Sequence, residues 1–258
     1  MRQLWKNFSK YRFLLGELVK KDIRLRYRRS YLGILWTLLE PILTTAVLAF
    51  VFGGLRKVKD PQFPVYILTG RLLYSFFSDA TKSAMKSIRS NSGMIKKVYV
   101  PKYIYPLSGV LSNYVIFLIS MLVLFGAAVI FKVRPTVYVI QAVIPLFLLL
   151  VLALGFGMIL ATMAVFFRDL EYLWGVVLML IMYTSGIFYH VEDLRLGDKA
   201  WVLRLNPLYT VISNFRNAIF GAPMNQTMLL LSVCYSFGAL AIGFVLFYRK
   251  QDEFILNI

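Results

Sequence analysis

Long, uninterrupted apolar runs constrain this chain more than any other feature. Six runs are visible, and each is close to or above the roughly 20 residues that a helix needs to cross a bilayer. Inside lipid every backbone polar group must be satisfied within its own segment, so continuous runs predict helices, whereas a barrel strand would alternate over about ten residues. We therefore expect a single all-α integral membrane domain over residues 1–258. Its six predicted transmembrane spans are 31–54, 63–81, 104–131, 137–167, 172–189 and 228–248.

Composition excludes the common soluble classes. The chain is 59% hydrophobic and 16% charged, whereas a soluble domain is about 45–50% apolar and 25% charged. Its net charge of +17 would suit a nucleic-acid-binding protein, but such proteins lack long apolar runs, so we expect no nucleic-acid partner. Cys234 is the single cysteine, so neither an intramolecular disulfide nor a cysteine-based metal site is expected.

The basic residues predict an orientation. Nineteen of the 29 Lys and Arg residues fall on one side of the predicted spans, nine fall on the other, and Arg71 lies within a span. Because the more basic side of a multi-pass protein faces the cytoplasm, both termini are expected there.

Three segments outside the spans differ from plain loops. Residues 1–30 carry apolar residues at helical spacing among ten basic ones, which predicts an amphipathic helix on the membrane surface. Residues 82–102 hold six basic and no acidic residues, and predict a short helix over 84–89, a turn at 91–93 and a docking role. Residues 190–226 are too apolar for a free loop and too broken for a span, which predicts short helices half sunk in the outer interface. Each segment has a simpler alternative. Residues 1–30 would bind lipid by charge alone, residues 82–102 would be a solvated loop, and residues 190–226 would be a packed cap without a gating role.

Ionisable residues inside the predicted spans are the default candidates for a functional site, because placing them in lipid is costly. There are three of them, Glu40, Arg71 and Asp79. The alternatives to a functional role are structural pairing between helices and snorkelling near a span end. Such an alternative is favoured for Asp79, which is close to the cytoplasmic end of its span.

Enzyme motifs are missing from the sequence. It contains no G-x-x-x-x-G-K-[ST] phosphate loop, no H-E-x-x-H and no G-x-S-x-G. We therefore expect no ATP hydrolysis, no catalytic residue and no metal site in this chain.

Four motifs, in order along nearly the whole chain, carry a family resemblance. Residues 21–43 read KDIRLRYRRSYLGILWTLLEPIL, in which a basic helix leads into Leu32-Gly33, Trp36 and Pro41. VYVPKYIYPLS follows at 98–108, VFFRDL at 165–170 and NPLY at 206–209. Together these motifs resemble the ABC-2 type transporter permeases, and within them the polysaccharide, O-antigen and teichoic-acid exporter branch.

The resemblance implies a homodimer of six-span subunits in the bacterial cytoplasmic membrane, working with two separate ABC ATPase subunits. ATP and Mg would be bound by those ATPases, and this chain would need no cofactor. The implied substrate is an undecaprenyl-pyrophosphate-linked glycan, such as an O-antigen, teichoic acid or capsule-type polymer. Membrane lipid is a further implied partner.

The resemblance also implies roles for particular residues. The substrate head group would be met by Arg24, Arg26, Arg28 and Arg29. The channel and lateral gate would be lined by Trp36, Phe50, Phe52, Trp174, Tyr183, Phe188 and Tyr189. ATPase coupling would involve Met85, Lys86, Ile88, Arg89, Met94 and Ile95. The outer gate would contain Asn206, Pro207, Tyr209 and Arg216.

Three other functions remain open at the level of sequence. An ABC-2 exporter of a drug or simple lipid would share the fold, but it explains the long basic segments less well. A membrane enzyme acting on polyprenyl phosphate would need more acids or histidines at one membrane face. A proton-coupled transporter using Glu40, Arg71 and Asp79 would usually show two related halves, which this sequence lacks.

Overall fold

The computed structural model describes residues 2–28, 30–56, 60–97, 100–191 and 201–257. Within these residues the regular structure is helical and no strand occurs, which confirms the all-α prediction for this part of the chain. The helices are α1 (Arg2–Tyr27), α2 (Trp36–Arg56), α3 (Phe63–Ser90), α4 (Ser92–Ile95), α5 (Ile104–Ile130), α6 (Val143–Phe166), α7 (Leu170–Thr184), α8 (Trp201–Arg204), α9 (Pro207–Ile219), α10 (Gln226–Lys250) and α11 (Phe254–Asn257). Short 3₁₀ turns at Gly33–Leu35, Val137–Ala142 and Gln251–Glu253 precede α2, α6 and α11.

Four helical stretches of the described residues are long and apolar enough to cross a membrane. They are Gly33–Gly54, Ile104–Ile130, Val137–Phe166 and Gln226–Leu256, and they overlap the first, third, fourth and sixth predicted spans. The second predicted span lies in α3, whose charged residues lower its hydropathy. The fifth overlaps α7, which has only 15 residues. Crossing by α3 and α7, and with it the six-span count, stays a prediction.

Helix α6 lies at the centre of the bundle, against α3 and α10. Glycine permits a very close approach between α6 and α10. A Cβ on Gly155 would lie 2.5 Å from backbone atoms of Ala239 and Leu240, and one on Gly243 would lie 2.5 Å from the Gly155 carbonyl oxygen. Small residues at a helix contact let two backbones touch, which is how helices pack in lipid without a hydrophobic driving force between them.

A second apolar cluster forms at the end of the bundle that carries both α1 and α11. It joins seven helices through residues that are almost fully buried: Leu15, Leu18, Ile88, Ile95, Ile104, Tyr105, Met158, Ala161, Val165, Phe247 and Phe254. The Phe254 ring packs edge-on against Phe247 at 5.1 Å. Helix α1 is therefore fastened to the bundle by its apolar stripe.

The predicted separate helix over 84–89 does not exist as such. Helix α3 continues unbroken to Ser90, because Ala84, Met85 and Ile88 keep the buried stripe going at helical spacing. The chain then turns at Asn91, near the predicted turn, and the single-turn helix α4 follows.

Candidate functional site

An open polar cleft lies between α1, α2, α3 and α5. It brings together one proposed head-group arginine, Arg26, with all three ionisable residues of the predicted spans, Glu40, Arg71 and Asp79. Uncharged polar side chains also line the cleft, beside several apolar ones: Thr37, Thr44, Ser75, Asn113 and Ser120. The sequence singled out the four charged residues separately, and the structure places them in one site.

Arg26 fastens α1 to two other helices at this cleft. Its Nη2 donates to Asp79 Oδ2 at 2.8 Å, and its Nη1 donates to Asn113 Oδ1 at 2.7 Å. Burial alone would lower the pKa of the Arg26 guanidinium, but the hydrogen bond and charge of Asp79 outweigh it and raise that pKa above its usual value. Since the Arg26 and Asp79 side chains are 40% and 45% exposed, the pair contributes only about 0–1 kcal/mol. It orients α1 more than it stabilises the fold.

A second opening adjoins the first across this ion pair. It is lined by Asp22 and Lys82, and it shares Arg26, Asp79 and Asn113 with the cleft. Burial raises the pKa of the Asp22 carboxyl, against the opposing effects of Lys21 and Ser108. The Arg26–Asp79 pair therefore lines both polar spaces.

The four proposed head-group arginines do not form one group. Arg24 and Arg28 are exposed and do not line the cleft, whereas Arg26 turns inward. This division follows from helix geometry, because residues four apart share a face and the residue midway between them points nearly the opposite way. Arg29 lies outside the described residues.

The proposed channel aromatics divide between surface and interior. Trp36, Phe50 and Tyr183 are exposed, Phe50 at 84%. The Phe52 and Phe188 rings stack at 5.1 Å, and the Tyr189 hydroxyl donates to the Tyr183 carbonyl oxygen at 2.6 Å.

Trp174 differs from the other channel candidates, because it is only 7% exposed within the chain. Its Nε1 donates to Thr81 Oγ1 at 3.0 Å, and its ring lies beside Phe77 and Phe156. Trp174 therefore packs the interior of this chain and presents no open ring face to a channel.

The proposed coupling residues are likewise of two kinds. Met85, Ile88 and Ile95 are buried in the bundle, so their side chains hold the segment in place. Lys86 and Met94 are exposed and Arg89 is half-buried, so these three are the ones available to a partner. Lys86 Nζ also lies 3.2 Å from Glu171 Oε2 of α7.

Asn206 begins α9 and ties it to the end of α7. Its Oδ1 accepts from the backbone N–H of Leu208 at 2.9 Å, as an N-cap residue does, and Pro207 takes the first helical position, where no N–H is needed. Its Nδ2 donates to Thr184 Oγ1 and Ser185 Oγ at 2.8 and 2.9 Å. Tyr209, one turn on, is half-buried beside the positive-φ turn at Gly186.

Arg216 is a buried cation that links α9 to α3. Nη1 donates to the Gly186 carbonyl oxygen at 2.8 Å, Nη2 to that of Tyr66 at 3.1 Å, and Nε to Thr69 Oγ1 at 3.3 Å. The guanidinium also lies 3.5 Å from the centre of the Tyr66 ring. Burial lowers the pKa of Arg216 to about 10, partly opposed by the nearby tyrosines, so the group stays protonated at neutral pH. The other residues proposed for the outer gate include 192–200, which lie outside the described residues.

Sequence reasoning missed the uncharged partners of these groups. Asn113 accepts a hydrogen bond from Arg26, and Thr81 accepts one from Trp174. The sequence prediction for the spans was limited to ionisable residues, so it left out both. A search for every amide and hydroxyl inside an apolar run would have found both. Among the described residues, no group of three or more His, Cys, Asp or Glu side chains is placed to hold a metal ion.

The bundle of long apolar helices and its polar cleft define a helical membrane protein. The family described as ABC-2 type transporter matches residues 14–220, and the chain belongs to this family, which confirms the resemblance seen in the sequence motifs.

The chain is similar over almost its whole length to several permeases. It is 26% identical over 243 residues to the O-antigen export system permease protein RfbA of Klebsiella pneumoniae, covering 93% of each chain. It is 28% identical over 221 residues to RfbA of Myxococcus xanthus, covering 85% of each chain. It is 25% identical over 261 residues to the polysialic acid transport protein KpsM of Escherichia coli, covering 97% of this chain and 98% of that one.

Proposed function

We propose that this chain is the transmembrane permease subunit of an ATP-driven exporter that moves a lipid-linked cell-surface polysaccharide across the bacterial cytoplasmic membrane. The observation that carries the proposal is the similarity, over almost the full length of both chains, to permeases named for O-antigen export and polysialic acid transport. The substrate is then an O-antigen or capsule-type polymer on undecaprenyl pyrophosphate. Teichoic acid rests on the sequence resemblance alone.

The partners follow from the same proposal. Two copies of this chain form the pathway, and two ABC ATPase subunits bind ATP and Mg and drive the cycle. The exposed side chains of Lys86 and Met94, with half-buried Arg89, face the ATPase. Both termini then lie in the cytoplasm, with α1 on the inner membrane surface, where the lipid-linked substrate is made available.

Charge distribution supports a head-group role for α1 rather than for the cleft. Inside the cleft Arg26 and Arg71 are balanced by Glu40 and Asp79, so the cleft carries no excess positive charge. Further positive charge lies outside the cleft, on the exposed residues Arg24 and Arg28. Arginine can hold phosphate oxygens with two parallel hydrogen bonds, so these two side chains would capture the pyrophosphate before it reaches the lateral opening.

The first experiment tests the class and the substrate together. The chain is co-expressed with its ATPase, purified, and placed in lipid nanodiscs, and ATP hydrolysis is measured with and without lipid-linked glycan. We expect a stable complex whose hydrolysis rises with the glycan. Failure to form a complex would overturn the exporter proposal, and stimulation by a simple lipid or drug but not by the glycan would overturn the substrate.

The second experiment isolates the head-group role. Arg24→Gln with Arg28→Gln should lower export several-fold while the complex still assembles, because two exposed guanidinium groups are removed from the C-terminal end of α1 and the residue that follows it. Arg12→Gln is the matched control, since Arg12 is also exposed on α1 but lies three or more turns away. Equal export by the double variant and the control would remove the head-group role.

A further inference from the structure

A set of polar contacts, the α3–α7 ladder, joins one face of α7 to α3. The contacts are Lys86 Nζ to Glu171 Oε2 at 3.2 Å, Trp174 Nε1 to Thr81 Oγ1 at 3.0 Å, and Tyr74 OH to the Leu178 carbonyl oxygen at 3.1 Å. On α7 they fall at positions 171, 174 and 178, which are spaced three and four apart and so share one face. The ladder therefore runs over about two turns of α7.

These contacts matter because little of α7 is buried, although Asn206 also ties the end of α7 to α9 and Trp174 packs against Phe156 of α6. Only Trp174 and Leu178 of this helix are buried. Much of its remaining apolar surface is exposed, with Tyr172, Val176 and Met179 among the exposed residues. Moving apolar surface from lipid to a helix contact gains no hydrophobic free energy. Polar contacts therefore determine with which neighbouring helix α7 moves.

Thr81 is suited to this role by its local geometry. Its hydroxyl donates to the Phe77 carbonyl oxygen of its own helix at 2.7 Å, which leaves its oxygen lone pair to accept from the indole N–H. That N–H is buried, so losing Thr81 would leave it without a partner, which is expensive in an apolar setting. Tyr74 is likewise buried and spans the gap to a backbone carbonyl oxygen rather than to a mobile side chain.

The ladder ends where the proposed coupling segment begins. Lys86 is on the last turns of α3, which runs unbroken from Phe63 to Ser90, and α4 follows at once. A continuous helix transmits a displacement of its end to the residues that precede it. Any force applied near Ser90 therefore reaches Tyr74 and Thr81, and through them α7.

We infer that Tyr74, Thr81, Trp174 and the Lys86–Glu171 pair are positioning residues that make α7 move with α3, so that displacement of the coupling segment by the ATPase is delivered to α7. This inference rests on the proposed function, and it deepens it by naming the residues that carry energy coupling within one chain.

The closing experiment measures coupling directly in the reconstituted complex of this chain with its ATPase. Thr81→Val and Tyr74→Phe keep side-chain size and remove one hydrogen bond each. In the double variant we expect assembly and ATP hydrolysis to be retained, while glycan exported per ATP hydrolysed falls roughly fivefold or more. A proportionate fall in both activities would indicate a merely structural role and overturn the inference.

Exchanging the charges of Lys86 and Glu171 provides a test that remains informative even if one single variant is unstable. Lys86→Glu should lower export per ATP, and adding Glu171→Lys should restore it, because the pair is re-formed with opposite polarity. Lys82→Glu is the control, since Lys82 is also exposed on α3, one turn before Lys86, and is not among the residues proposed to face the ATPase. Absence of rescue by Glu171→Lys would count against the pair.

A distance measurement separates this inference from the proposed function. Spin labels at the exposed positions 82 on α3 and 172 on α7, in a Cys234→Ser background, report their separation with and without ATP. We expect the separation to stay the same in the wild-type background and to change on ATP binding in the Thr81→Val, Tyr74→Phe variant. A change in the wild-type background would overturn the inference even where the exporter works as proposed, whereas failure to bind the ATPase would overturn the exporter proposal first.

Discussion

Replacing Arg216 by methionine should destabilise the protein by about 3 kcal/mol. The guanidinium is 6% exposed and gives two hydrogen bonds to carbonyl oxygens, at 2.8 and 3.1 Å. Hydrogen bonds from a charged donor contribute about 1.5–3 kcal/mol each, and a desolvated cation–π contact contributes about 2 kcal/mol. Removing a buried cation also relieves a desolvation penalty of several kcal/mol, which offsets part of that loss. The lost hydrogen bonds and cation–π contact outweigh this relief, so the net change remains unfavourable.

Thermal unfolding in nanodiscs, followed by tryptophan fluorescence, measures this effect. For a chain of this size about 3 kcal/mol corresponds to a fall in Tm of roughly 6–12 °C. Arg204→Met is the control, because Arg204 is exposed at the end of α8 and should leave the Tm unchanged. A Tm for Arg216→Met within about 2 °C of the control would show that the buried cation is not what joins α9 to α3.

Gly70 supplies an independent check on the same contact. A Cβ at this position would lie 2.6 Å from Arg216 Nη2, so Gly70→Ala should push the guanidinium out of place. In the Arg216→Met background the charged group is gone, and the added methyl group should do little further harm. The two substitutions are therefore expected to be strongly non-additive, and additive falls in Tm would refute the geometry.

Three further substitutions test other contacts. Gly155→Ala should prevent α6 and α10 from packing, since the new Cβ would lie 2.5 Å from the α10 backbone. Gly126→Ala is the control, because its new Cβ meets open space. Size-exclusion chromatography should show loss of folded protein only for Gly155→Ala. Asp79→Asn removes the charge partner of Arg26, so amide hydrogen exchange in α1 should become faster. The Tm should shift little, because the pair is half exposed. Unchanged exchange would mean that the pair does not hold α1. Phe254→Ala empties a fully buried site and should lower stability by about 3–5 kcal/mol, and an unchanged Tm would show that α11 does not support the bundle.

Hydropathy predicted the helical class and the placement of the apolar helices well, but it misjudged where amphipathic helices end. Residues 82–90 look like the start of a basic loop because Lys82, Lys86 and Arg89 dominate their composition. The same residues carry Ala84, Met85 and Ile88 on the opposite face, and this stripe extends α3 to Ser90. Periodicity, read across the apparent span end, would have predicted the longer helix.

The candidate site was predictable residue by residue but not as an arrangement. Arg26 and Asp79 are 53 positions apart, and their pairing depends on how α1 lies across α3, which no local pattern specifies. In contrast, the separation of Arg26 from Arg24 and Arg28 follows from helix phase alone and could have been predicted. The start of α9 was also available from local signals, since Asn206-Pro207 combines an N-cap with a proline at the first helical position.

The shortness of α7 has a consequence for the surrounding bilayer. Fifteen residues make a helix about 22 Å long, about 8 Å less than the hydrocarbon thickness. Lipid next to a short apolar helix thins locally to match it. If α7 crosses the membrane as the sequence predicts, the two headgroup layers would be drawn closer together beside it than elsewhere around the bundle. A polar group that moved along such a helix would meet a lower barrier, because the hydrocarbon layer that it must cross would be thinner.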